Sequence, residues 1–188
     1  MGFMYCNQCL WDRAIRAFND SLSIQINQQN PDAGEIAAVL YKIAAVYLEV
    51  GDTGKAIDFY EETLLYHNYN APNKKMNDLV VRTLQCLAQL YQLNGDLDIA
   101  LKRYKEAIEY SLKNSDKETS SQVVRLLYSN VGDIYIEKGD IDKAMEAYAM
   151  ALRLNRLAGI DEDFVVTLTD GLAMYEVLRE QGEAAPAA

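Results

Sequence analysis

Residues 40–64 read LYKIAAVYLEVGDTGKAIDFYEETL, and two later segments repeat this pattern at a fixed distance. Residues 84–108 read LQCLAQLYQLNGDLDIALKRYKEAI, and residues 128–152 read YSNVGDIYIEKGDIDKAMEAYAMAL. A Gly-Asp pair stands at the same place in all three segments, so the period is 44 residues. Self-similarity at a period of this size is the signature of a repeat architecture.

Apolar residues within each segment recur every three or four positions, which is the spacing of an amphipathic α-helix. In the first segment one such series ends at Tyr47 and the next begins at Ala56, on either side of the Gly-Asp pair. Gly51 permits the left-handed turn that closes a helix, and Asp52 can cap the amides that open the next one. Each segment is therefore predicted to be a helical hairpin. Because one hairpin cannot bury its apolar stripe alone, neighbouring hairpins must stack into a solenoid.

The three segments resemble the tetratricopeptide repeat (TPR), which carries a large residue, Leu, a small residue and Tyr, then Gly, Ala, an aromatic residue and Ala. The matching residues of the first unit are Leu40, Ile43, Ala44, Tyr47, Gly51, Ala56, Tyr60 and Thr63. Those of the second are Leu84, Leu87, Ala88, Tyr91, Gly95, Ala100, Tyr104 and Ala107. Those of the third are Tyr128, Val131, Gly132, Tyr135, Gly139, Ala144, Tyr148 and Ala151. The resemblance implies an all-α fold, a right-handed superhelical solenoid of antiparallel helix pairs with about eight helices.

The period of 44 residues is longer than the usual TPR unit of about 34 residues. Helix start signals at Asn30-Pro31, Ala71-Pro72 and Ser115-Asp116 precede the matching cores, so the first helices are expected to be extended by more than a turn. Such long periods are similar to those of kinesin light chains and related cargo-binding scaffolds. The consecutive Asn residues typical of kinesin light chain repeats are replaced here, for example by Tyr41-Lys42.

We predict a single array with a partial unit at each end. Its segments are residues 1–30 as a partial N-terminal repeat, 31–70, 71–114 and 115–158 as full repeats, 159–182 as a C-terminal half repeat, and 183–188 as a disordered tail. Half units leave apolar faces uncovered, which raises two hypotheses: that the chain is a piece of a longer array, or that its ends self-associate.

Composition excludes several kinds of partner. The chain of 188 residues has 28 acidic and 18 basic side chains, a net charge of −10, and this balance disfavours binding to a phosphate backbone. No apolar run approaches the roughly 20 residues of a membrane span, and the start lacks a signal-peptide pattern. We therefore expect a cytoplasmic protein without nucleic-acid or membrane partners.

The sequence offers little for catalysis. It has no phosphate-binding loop and no nucleophile elbow, and the only histidine, His67, favours a surface or helix-capping role. Cys6 and Cys9 form a lone Cys-x-x-Cys, which favours structural thiols over a redox pair or half a zinc site, and Cys86 lies far away. We expect no enzymatic activity, no catalytic residue, no metal and no cofactor.

Two charged clusters receive structural interpretations. Asp161, Glu162 and Asp163 precede a helix predicted to begin near Phe164, where negative charge favours the amino end of the helix dipole over a role in cation binding. The basic stretch from Lys102 to Lys105 on a second helix has Glu106 and Glu109 at salt-bridging spacing, which is typical of a solvated outer face.

Function must then come from the surface, and the TPR resemblance implies a concave groove lined by the first helices. The candidate peptide-binding residues are Tyr41, Lys42, Ala45, Leu48, Glu49, Arg82, Gln85, Gln89, Gln92, Ser129, Asn130, Asp133 and Glu137. Stacking at the 44-residue period should align them in rows, such as Tyr41, Gln85 and Ser129, whose polar groups can bond the backbone of an extended peptide. The alternative is that these residues only keep the groove hydrated.

The same positions also indicate the class of ligand. The Lys and Asn residues with which chaperone-binding TPR arrays grip a terminal carboxylate are replaced, for example by Tyr41 and Ala45, so we expect no such clamp. Acidic groove residues favour a neutral or basic protein or peptide partner. The leading hypothesis is a non-enzymatic interaction scaffold, with a cargo-adaptor role as its more specific form. The alternative is the regulatory or sensor region of a longer signalling protein, enzyme or transcription regulator.

Overall fold

The computed structural model describes residues 10–66, 74–114 and 117–158. These residues form seven α-helices and no strand: α1 (Trp11–Ile26), α2 (Ala33–Val50), α3 (Thr53–Leu65), α4 (Lys74–Leu93), α5 (Leu97–Asn114), α6 (Lys117–Glu137) and α7 (Ile141–Ala158). The predicted all-α class is confirmed, with seven helices in the described residues against about eight expected. The interpretations of Cys6, Cys9, His67, Asp161–Asp163 and the C-terminal half repeat lie outside the described residues.

The chain divides into two compact units, residues 1–90 and residues 91–188. In the first unit α1 packs against α2, and α2 packs against α3. In the second unit α5 packs against α6, and α6 packs against α7. Helices that follow one another in the chain are thus the helices that share a core, as the repeat pattern predicts.

The Gly-Asp pairs form the three predicted turns. Gly51, Gly95 and Gly139 have φ of 86°, 83° and 74°, a left-handed conformation that costs other L-residues roughly 1–2 kcal/mol. At the first turn, the amide of Asp52 donates to the carbonyl of Tyr47 at 2.9 Å. The carboxylate of Asp52 then accepts from the amide of Lys55 at 3.1 Å, so one dipeptide ends α2 and begins α3.

The first helices are long, as expected. Helices α2, α4 and α6 contain 18, 20 and 21 residues. Helix α2 begins just after Pro31, and its cap is Asp32, whose carboxylate accepts from the amides of Gly34 at 2.8 Å and Glu35 at 3.3 Å. The start signal upstream of α2 is therefore Pro31-Asp32 rather than Asn30-Pro31.

The core of the first unit joins α1 to α2. The buried side chains of this apolar cluster are Ala14, Phe18, Val39, Ile43 and Val46. The partly buried hydrophobic residues packed against it are Trp11, Ile15, Leu22, Tyr47 and Phe59. The rings of Tyr47 and Phe59 stack with centroids 5.4 Å apart, which ties α3 to the same cluster.

The second unit has the same kind of core with one difference. Ala100, Ala144 and Ala151 are fully buried at repeat positions where close helix packing needs a small residue. The small residue in the first helix of this last pair is Gly132, where the two earlier repeats have Ala44 and Ala88. Gly132 lies directly against the ring of Tyr148, and a Cβ at this position would be 2.7 Å from Cδ1 and Cζ of that ring.

Candidate functional site

The candidate peptide-binding residues lie on the first helices, five on α2, four on α4 and four on α6. None of the thirteen is buried: each is partly or fully exposed. The framework residues between them are buried, and Leu40, Ile43 and Ala44 on α2 are each 0% exposed. Each first helix therefore turns one face into the core and presents its candidate residues on another, which is a precondition for binding. Their role in binding stays a prediction.

In the first unit, Tyr41 of α2 meets Cys86 of α4. The Tyr41 hydroxyl and the Cys86 sulfur are 3.8 Å apart and within hydrogen-bonding range, and either can donate. The Tyr41 ring also packs edge-on against buried Tyr60, with centroids 5.3 Å apart. Burial, together with the neighbouring Cys86, raises the pKa of Tyr41 to about 12. Burial also raises the pKa of Tyr60, and by more than it raises that of Tyr41.

The raised pKa of Tyr41 gives an alkaline limit to stability. A phenol whose pKa is near 10 when unfolded and about 12 when folded stabilises the fold fully below pH 10, and this contribution is lost as pH rises from about 10 through about 12. We expect the free energy of unfolding, measured by urea denaturation, to fall steeply over this interval. The fall should be smaller in Tyr41→Phe, which cannot ionise, and an equal fall in the variant and the wild type would contradict the assignment.

In the second unit, two acidic candidates are engaged inside the protein. The Gln92 side-chain amide donates to the Glu137 carboxylate and so joins two candidate residues of neighbouring repeats. The Tyr148 hydroxyl donates to the Asp133 carboxylate at 2.5 Å, a length typical of a charge-assisted hydrogen bond. Each of these two carboxylates therefore already accepts a hydrogen bond from within the protein before any ligand arrives.

Both contacts between first helices join residues 45 positions apart, whereas the sequence period is 44. Tyr41 thus contacts Cys86, the residue next to its predicted row partner Gln85. Which residue of the next first helix a side chain contacts depends on how the two helices are staggered, so the period alone does not identify it. The row of Tyr41, Gln85 and Ser129 stays a prediction.

Metal binding and membrane crossing are two other properties on which the described residues bear. These residues contain no group of three or more His, Cys, Asp or Glu side chains placed to hold a metal ion. None of the described helices combines the length and apolar character needed to cross a membrane.

Comparison with known proteins agrees with this architecture. A family model described as Tetratricopeptide repeat matches residues 1–64 and 79–156. No curated protein sequence matches the chain significantly. Solved structures do match, at identities that show the fold alone.

Three of these structures illustrate the likeness. BtubC (BKLC) from P. vanneervenii is 19% identical with a TM-score of 0.75, over 99% of this chain and 72% of that one. The apo form of RapI is 17% identical with a TM-score of 0.78, over 96% of this chain and 47% of that one, so the chain spans about half of RapI. Kinesin light chain TPR-like repeats from Podosopora anserina are 14% identical with a TM-score of 0.70, over 96% of this chain and 84% of that one.

The match to the family model covers well over half of the sequence, and the described helices, Gly-Asp turns and buried small residues follow the same repeat. The chain belongs to the tetratricopeptide repeat family, as its three 44-residue segments predict.

Proposed function

We propose that the chain is a non-enzymatic interaction module that binds a protein or peptide segment along the exposed faces of its first helices. The observation that carries this proposal is the separation on each first helix between buried framework residues and exposed polar candidates. Membership of the TPR family supports it, because the family serves as a scaffold for other proteins. A cytoplasmic, cargo-adaptor-like role is the more specific form, and the likeness to kinesin light chain repeats favours it.

Helix α4 supplies the side chains best placed to bond a ligand. Gln85 is partly exposed and Gln89 is exposed, four residues later on the same helix. Within the described part of the chain, no hydrogen bond involves either amide group. Each amide offers a donor and an acceptor, and a backbone in extended conformation needs both. An extended segment bonded through its backbone is thus the ligand form that these residues fit.

Charge narrows the proposed partner. Glu49 at the end of α2 is exposed, and the chain as a whole carries −10, so an acidic segment would be repelled from these faces. Because Gln92 and Tyr148 already hold Glu137 and Asp133, a ligand need not be strongly basic. We therefore propose a neutral or basic segment, with neither nucleic acid nor membrane as partner.

The double variant Gln85→Ala/Gln89→Ala tests the site. We expect the amount of partner captured from the source lysate to fall about tenfold. The reason is that the variant lacks two hydrogen-bonding side chains, each worth roughly 0.5–1.5 kcal/mol. The thermal unfolding midpoint should not change, since neither amide is bonded inside the described protein.

Gln122→Ala is the matched control, because Gln122 is an exposed glutamine of α6 outside the candidate set. It should capture the same partners as the wild type. Unchanged capture by the double variant would place the binding site elsewhere on the molecule.

A second candidate function is a regulatory or sensor region within a longer signalling protein. The likeness to RapI favours this candidate, because the match covers only 47% of the RapI chain. Sequencing the reading frame on both sides tests it. A catalytic or DNA-binding domain in the same frame would support this candidate, and stop codons on both sides would exclude it.

A further inference from the structure

The second unit contains a depression away from the candidate peptide-binding residues. It has a volume of about 510 Å³, within the range of roughly 300–1,000 Å³ typical of ligand pockets. Its walls come from α5, from the end of α6 and from the turn into α7. Its lining residues are Asp98, Leu101, Lys102, Lys105, Glu106, Glu109, Tyr135, Lys138, Asp140 and Lys143.

Tyr135 organises the basic side chains of this depression. The ammonium of Lys105 donates to the Tyr135 hydroxyl at 3.1 Å. The same ammonium lies 5.7 Å from the centroid of the Tyr135 ring, and so does the ammonium of Lys143. Lysines from two repeats thus converge on one aromatic ring, held there by cation–π attraction.

Most of the acidic groups in the depression are already paired. Asp98 binds Lys138 at 2.7 Å, and Asp140 binds Lys143. Glu106 is bound at 2.9 Å by Arg103, which is not itself a lining residue.

Two lining lysines form no salt bridge among the described residues, and Lys105 gives only one of its three N–H donors to Tyr135. Lys102 and Lys105 are both exposed, and Glu109 is the remaining acid. The lining residues include four lysines and four carboxylates, a balance of zero in a chain whose total is −10. An anionic group therefore meets less repulsion here than the charge of the whole chain would imply.

We propose that the depression binds an acidic peptide segment of a protein partner, by seating a Glu or Asp side chain against Lys102 and Lys105. The methylene groups of a Glu side chain fit against Leu101 and the Tyr135 ring, and its carboxylate reaches the two ammonium groups. A monoanionic carboxylate suits the site better than a phosphate, because the carboxylate of Glu109 repels a dianion more strongly. This acidic ligand differs from the neutral or basic segment proposed for the first helices, so the two sites are independent.

The test uses the full chain and a fluorescently labelled hexaglutamate peptide, with binding followed by fluorescence anisotropy at low ionic strength. We expect saturable binding that weakens as salt is added. Lys102→Gln/Lys105→Gln should weaken it by about tenfold, and Glu109→Gln should tighten it by about threefold. Loss of folding cannot make a variant bind more tightly. Opposite effects of the two variants on affinity would therefore show that charge in the depression controls binding.

The control is Lys55→Gln/Lys113→Gln, which removes the same charge from exposed lysines outside the depression. It should bind within about twofold of the wild type. Absence of saturable binding, or equal weakening by the control variant, would overturn the proposal. Binding of inorganic phosphate, measured by calorimetry, without any binding of hexaglutamate would overturn it in favour of a phosphate site.

Discussion

We expect Gly132→Ala to lower the free energy of unfolding by about 2 kcal/mol, measured by urea denaturation. A Cβ at this position would stand 2.7 Å from two atoms of the Tyr148 ring, a separation that packed carbon atoms do not adopt. A contact this short places the cost of overpacking at about 3 kcal/mol, the upper end of the usual range, and the better helix propensity of Ala returns only about 1 kcal/mol. The clash therefore outweighs the gain.

Gly54→Ala is the matched control for this change. Gly54 is also helical, in the first turn of α3, but a Cβ there would meet only one carboxylate oxygen of Asp52, at 3.8 Å. The same substitution should therefore leave the free energy of unfolding unchanged or raise it by up to about 1 kcal/mol. Equal effects at the two glycines would show that helix propensity, and not the contact with Tyr148, controls both.

The Gly132 contact also holds a candidate peptide-binding residue. The Tyr148 ring lies against Gly132, and its hydroxyl donates to the Asp133 carboxylate at 2.5 Å. If the ring moves aside to admit a methyl group, that hydrogen bond weakens. A double-mutant cycle with Tyr148→Ala should therefore show a coupling energy of about 1–2 kcal/mol, and additive effects would contradict the contact.

The repeat framework could be predicted from the sequence because the period aligns residues of the same structural role. Gly51, Gly95 and Gly139 share a turn conformation that few other residues adopt, so their recurrence was a direct signal of geometry. The buried small residues were visible for the same reason. Tyr60 and Tyr104 are each 1% exposed, whereas their counterpart Tyr148 is half-buried over a glycine, a difference that periodicity cannot reveal.

Contacts between repeats could not be predicted in the same way. The offset of 45 residues between Tyr41 and Cys86 depends on how two helices are staggered, which is a property of packing. The spacing of the basic stretch from Lys102 to Lys105 to acidic residues on the same helix predicts salt bridges, and the Arg103–Glu106 pair forms at 2.9 Å. Tyr135 is 30 residues beyond Lys105 in the sequence, and only the folded second unit brings the two together.

Leu40→Ala should give the largest loss of stability, about 3 kcal/mol, within the range of roughly 2–5 kcal/mol measured for buried leucines. Leu40 lies on α2 and is 0% exposed, so truncation removes apolar contacts on all sides and leaves a cavity that the packed helices fill only partly. A total stability of roughly 5–15 kcal/mol makes this a large fraction of the whole. Urea denaturation should show it as a lower midpoint with an unchanged slope.

Leu65→Ala makes the same chemical change at a side chain that is 84% exposed at the end of α3. It should alter the free energy of unfolding by no more than about 0.5 kcal/mol. Similar losses at both leucines would mean that Leu65 is covered in solution, by another copy of the chain or by a partner. In that case, the loss caused by Leu65→Ala should be measured at several protein concentrations. A loss that changes with concentration would indicate self-association, and a constant loss would indicate an effect within one chain.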